Sequence, residues 1–129
     1  MRILVVDDDA AVRDSIAMVL DGAGFQVDQA DHGASGMRLL RANAPDLVIT
    51  DILMPHKEGI ETIREIRAVL PQTPIIAISG SAEPRADYLK MAQSFGASAI
   101  LAKPFDPTVL LELVNRLLSA RDASAAAPQ

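Results

Sequence analysis

The chain has 129 residues, half of them hydrophobic and 22% charged, with no cysteine and a net charge of -5 at pH 7. This length and composition fit one globular domain with a real core and leave no room for two substantial ones. The lack of cysteine excludes disulfides, thiolate metal sites and cysteine nucleophiles; the acidic balance argues against a nucleic-acid surface on this chain, since neutralising phosphates takes clustered Lys and Arg.

The first predicted strand, residues 3–6, is an apolar run that ends in three consecutive aspartates, Asp7 to Asp9. Those carboxylates interrupt any signal-peptide core, and no apolar run approaches the roughly 18 residues of a membrane span. The reading is therefore a cytoplasmic chain without membrane contact. Val12, Ile16, Val19 and Leu20 space out a first helix, and Gly24 stands where a helix exit favours left-handed backbone. Beside that core stripe, Ala11, Ser15 and Met18 form a second stripe, small enough to admit a helical partner.

A second strand is predicted at 25–29 and a weakly striped helix at 34–40. The third strand, 47–50, runs into Asp51, and Ile60, Ile63, Ile66 and Leu70 mark the helix after it, closed by Pro71 and Pro74. The fourth strand, 75–79, ends on Ser79; a weak helix at 85–95 exits at Gly96 into the fifth strand, 99–102, which Lys103 follows. Leu110, Leu113, Val114, Leu117 and Leu118 give the last helix. Residues 119–129 are Ala- and Ser-rich and read as a fraying tail or a linker stub, so the domain spans 1–118. Five strand-helix pairs whose strands are mostly continuous apolar runs predict an α/β fold: a parallel sheet buried on both faces and doubly wound by right-handed crossovers.

Ligands of such sheets gather at the carboxyl ends of the strands. Asp7, Asp8, Asp51, Ser79 and Lys103 all fall there. Individually each has a plainer role: Asp9 as a helix cap, Ser79 as a turn residue, Lys103 as a solvated charge. Independent caps, however, give no reason for acids on two strand ends and the one such lysine on a third. Clustered carboxylates repel one another and suit a hard divalent cation such as Mg²⁺. With a cation in place, one carboxylate can act as nucleophile toward a phosphoryl group while lysine and hydroxyl hold its oxygens.

The pieces "VVDDD", "DILMPHKEG", "ISGSA" and "AKPF", in this order and at these strand ends, resemble the receiver domain of bacterial two-component response regulators over residues 1–118. The resemblance implies the flavodoxin-like strand order 2-1-3-4-5 and a phosphoacceptor, Asp51, served by a histidine kinase or a histidine phosphotransfer protein. It further implies Mg²⁺ held by Asp8 and Asp51, by Asp7 through a water and by the backbone carbonyl of Leu53. Lys103 would pair first with Asp51 and then with the phosphoryl group, and the Lys103-Pro104 bond would be cis. Ser79 would be the switching hydroxyl, with Met54, Pro55 and Gly59 in the loop after the phosphoacceptor.

Ile100 stands where the family often carries the aromatic member of the switch. Leu53 and Ser81 occupy positions that tune loss of the phosphoryl group, a bulky Leu53 hindering water, and Gly80 would loosen the Ser79 loop. The output face would include Ile100 with Leu89 or Lys90 and serve an unknown partner or a homodimer. A haloacid-dehalogenase-type phosphatase is the competing enzyme reading. "DDDAA" supplies Asp7 and Asp9 for its first motif but Ala11 at the third place, and no acidic pair follows Lys103. A flavin module would not set three aspartates against a cofactor phosphate. A receiver-like binding module independent of phosphorylation is the remaining alternative.

Overall fold

The computed structural model describes residues 1–51, 58–79, 94 and 96–126. Five strands form one sheet: β1 (Arg2–Val6), β2 (Gln26–Ala30), β3 (Leu47–Asp51), β4 (Ile75–Ser79) and β5 (Ala99–Ala102). All pair in parallel, in the order β2-β1-β3-β4-β5, which is the flavodoxin-like arrangement. Among the described residues the helices are α1 (Ala10–Gly22), α2 (Gly33–Ala42), α3 (Glu58–Val69) and α4 (Pro107–Ala126). The helix expected at 85–95 lies outside the described residues, Ser94 apart.

Strand alternation sends successive side chains to opposite faces, and the core divides accordingly. Leu4 and Val6 of β1 pack with Val48, Ile75 and Ala77 beneath Met37 and Leu40 of α2 and Ile60, Ile63 and Ile66 of α3. Ile3 and Val5 pack with Leu47, Ile49, Ile76 and Ile78 beneath Ile16 and Leu20 of α1 and Leu110, Leu113, Val114 and Leu118 of α4. The three central strands are buried on both faces. The two edge strands are not: β2 and β5 have half-exposed positions, because each has a neighbour on one side only.

Local signals account for most element ends. Gly24 and Gly96 adopt φ of +97° and +120°, the left-handed region in which a Cβ would be strained. Phe25, expected in β2, lies just before it, its N–H donating to the Leu20 carbonyl at 3.1 Å at the exit of α1. Gly59, expected in a loop, is already in the first turn of α3. The last helix does not stop near Leu118 but continues to Ala126, and Arg121 donates to the Asp46 carbonyl (3.0 Å) and carboxylate (3.1 Å). No helix among the described residues is long and apolar enough to cross a membrane.

Candidate phosphoacceptor and metal site

Three strand ends build the site. β1 delivers Asp7, whose N–H donates to the Ala30 carbonyl at 3.1 Å, extending the β1-β2 ladder by one residue. Asp51 is the last residue of β3, 5% exposed, and Asp7 is 1% exposed. Lys103 follows β5; its N–H donates to the Ser79 carbonyl at 2.8 Å, and the Lys103-Pro104 peptide is cis, as the resemblance implied. From there the Lys103 ammonium reaches Asp51 Oδ2 at 3.0 Å and Asp7 Oδ2 at 3.1 Å. Two buried carboxylates at the ends of the central strands thus share one cation that follows the edge strand β5.

The three aspartates after β1 divide their tasks. Asp7 accepts the Asp9 N–H on Oδ1 at 2.9 Å, so both of its oxygens are engaged. Asp9 caps α1, its Oδ1 accepting from the N–H groups of Ala11 (3.0 Å) and Val12 (3.3 Å), as an aspartate before a helix ordinarily does. Asp8 between them is exposed. Carboxylate oxygens of Asp7, Asp8 and Asp51 lie within 4.8 Å of one another, two of the residues buried and one open to solvent. Three convergent oxygens with one open side suit a divalent cation that keeps part of its water shell.

Electrostatics show the strain of this grouping. Burial, helped by the Asp51 charge, raises the Asp7 pKa above the ordinary 3.8, against the lowering effects of the Asp9 N–H and Lys103. Burial alone would lower Lys103, but the hydrogen bonds and charges of Asp51 and Asp7 outweigh it, and its pKa is raised above 10.5. The lysine is held charged by the acids, while burial beside Asp51 works against the charged form of Asp7.

Ser79 ends β4 beside Ala102 of β5 and is buried at 4%. Ile100 lies within β5 opposite Ala77, half-buried against the core that α2 and α3 cover. Leu53, Met54, Pro55, Gly80, Ser81, Leu89 and Lys90 lie outside the described residues. Arg13 carried no signal in the sequence: it is a helical residue whose side chain runs back toward the helix start, and its Nη1 donates to the Asp7 carbonyl at 2.7 Å.

The response regulator receiver domain model matches residues 3–115. The chain belongs to that family. The receiver domain is 36% identical over 118 residues to the response regulator MprA of Mycobacterium sp. (strain KMS), covering 92% of this chain and 50% of that protein. It is 33% identical over 118 residues to MprA of Mycobacterium leprae (strain TN). The receiver domain therefore spans about half the length of these relatives. Among solved structures it resembles the CheY-like receiver domain protein of Methanospirillum hungatei JF-1, with a TM-score of 0.89 at 29% identity over 95% of this chain and 97% of that one. NtrX of Brucella abortus gives a TM-score of 0.90 at 28% identity, over 96% of this chain and 28% of that one. Receiver domains are signalling modules of two-component systems and generally not classical enzymes.

Proposed function

We propose that this receiver domain is a phosphoacceptor switch in which Asp51 takes a phosphoryl group from a phosphohistidine donor, with Mg²⁺ as cofactor. The observation that carries this reading is the meeting of three strand ends: the Asp51 carboxylate 3.0 Å from the Lys103 ammonium and within one metal-sized cluster with Asp7 and Asp8. Asp8 and Asp51 are the direct ligands in this reading. Asp7, its oxygens already engaged by Asp9 and Lys103, acts through a water. The Leu53 carbonyl completes the proposed set. Bound there, Mg²⁺ would neutralise charge on the phosphoryl oxygens.

In the proposed transfer an Asp51 oxygen forms the new bond to phosphorus as the bond to the donor's imidazole nitrogen breaks, and the imidazole leaves with the electron pair. Lys103, released from its carboxylates, pairs with a phosphoryl oxygen, and the Ser79 hydroxyl accepts the role of second partner. Such catalysis rests on positioning and charge neutralisation. Ile100 replaces the aromatic member of the switch, so the signal passes through aliphatic packing.

A cleft of about 570 Å³ beside Lys103, between Ala11, Ser15 and Val19 of α1 and Phe105 and Leu110, supports docking of a histidine kinase or histidine phosphotransfer protein next to Asp51. Phosphorylation would then alter the face around Ile100 for an output partner or a second copy. In this reading the signalling unit is the receiver domain, whose last helix runs past Leu118 to Ala126, in the cytoplasm, with no nucleic-acid or membrane contact by this chain. Incubation with Mg²⁺ and acetyl phosphate, followed by intact mass, tests the proposal. One phosphoryl adduct that is absent in Asp51→Asn is expected; continuous phosphate release that survives Asp51→Asn and is lost in Asp7→Asn would favour a phosphatase instead.

A further inference from the structure

Arg13 touches the acidic turn and has no part in the chemistry above. It sits one turn into α1, half-buried, and its guanidinium crosses back to the Asp7 carbonyl at 2.7 Å, a short charge-assisted hydrogen bond. Its own N–H donates to the Asp9 carbonyl at 2.9 Å, so one residue belongs to the first turn of α1 and grips the turn before it. With this bond every polar group of Asp7 is tied: the N–H to Ala30, the carbonyl to Arg13, Oδ1 to Asp9 and Oδ2 to Lys103. The peptide that Arg13 holds is the one linking Asp7 to Asp8. α1 in turn is anchored on the sheet through Ile16 and Leu20.

We propose that Arg13 is a positioning residue for the divalent cation: by fixing the 7–8 peptide from α1, it keeps the Asp7 and Asp8 carboxylates converged on Asp51. This rests on the metal reading given above. Two effects of Arg13 have opposite signs, which makes the proposal decidable. As a nearby positive charge it disfavours a bound cation, so removing it would tighten binding. As a clamp on the ligands it favours the cation, and loss of such outer partners commonly weakens a metal site by about 10-fold or more.

The test is Mn²⁺ binding by electron paramagnetic resonance, with competition by Mg²⁺, on the full chain and its Arg13→Ala and Arg13→Lys variants. Thermal melts in EDTA confirm that each variant is folded. The expected result is a dissociation constant about 10-fold higher in Arg13→Ala, largely restored in Arg13→Lys, which keeps a cationic donor on a long stem. An unchanged or lower dissociation constant in folded Arg13→Ala would overturn the positioning role while leaving the metal site standing. Absence of Mn²⁺ binding by the unaltered chain would overturn both.

Discussion

At the scale of single residues, the site is a problem of buried charge. Asp7 and Asp51 are buried, Lys103 is one cation between them, and its side chain is itself only 20% exposed. Removing one member of a buried ion pair typically costs about 3–5 kcal/mol, because the partner charge stays behind. Partial exposure of Lys103 reduces this, and Lys103→Met should lose about 2 kcal/mol in urea unfolding without metal. Saturating Mg²⁺ should recover much of that loss, because the cation supplies the charge that the lysine no longer does. An equal loss with and without Mg²⁺ would mean that the carboxylates do not share one cation site. The acids and the lysine were legible in the sequence because each follows an abrupt change from β-branched to charged residues at a strand end. Arg13 and Arg67 were not, since their partners are backbone carbonyls, which any residue can offer.

At the scale of elements, connections are held as firmly as the strands they join. Arg67, near the end of α3, donates from Nη1 to the carbonyls of Leu70 (3.2 Å), Pro71 (2.9 Å) and Thr73 (2.7 Å), and from Nη2 to Gly96 (2.6 Å). One guanidinium thus fastens the turn into β4 to the turn into β5, and burial lowers its pKa below the usual guanidinium range. Gly96, at φ +120°, leaves room for it: an added Cβ would lie 2.9 Å from Arg67 Nε and 3.1 Å from its Cγ. Gly96→Ala should therefore cost about 2 kcal/mol, from backbone strain and the displaced arginine together. A change under about 0.5 kcal/mol, the range of ordinary surface substitutions, would show that the turn relaxes freely. The glycine's left-handed backbone was foreseeable from its place at an expected helix exit. The arginine beneath it was not. Strand positions were equally legible, and Gln26, Asp28 and Gln29 already mark β2 as polar; the half-exposure of β5 was not legible, because its residues 99–102 are all apolar and only its place at the sheet edge leaves them open.

At the scale of the whole molecule, the two ends of the sheet do different work. The carboxyl ends gather the acids, lysine and hydroxyl; the opposite end is tied shut by charge. Asp46 accepts the Arg2 N–H at 2.8 Å and the Arg121 guanidinium at 3.1 Å, joining β1, the approach to β3 and the far part of α4. Burial raises the Asp46 pKa, but the Arg2 N–H and Arg121 outweigh it, and the net shift is below 3.8. A carboxyl lowered in the folded state contributes stability that is present above 3.8 and lost as pH falls through its folded value. Asp46→Asn should therefore be less stable by roughly 0.5 kcal/mol at neutral pH, a small figure because the pair is partly exposed. The gap should close on acidification below 3.8; a gap that persists there would place the effect in packing and not in charge.

The central claim, that Asp51 is the group that receives phosphate, is tested most directly by locating the modification. The protein is treated with acetyl phosphate and Mg²⁺, reduced with borohydride, which converts an acyl phosphate to an alcohol, and digested for peptide mass analysis. The predicted result is homoserine in place of Asp51 alone, absent when EDTA replaces Mg²⁺. Homoserine in place of Asp7 or Asp8, or reduction at no aspartate, would contradict the account.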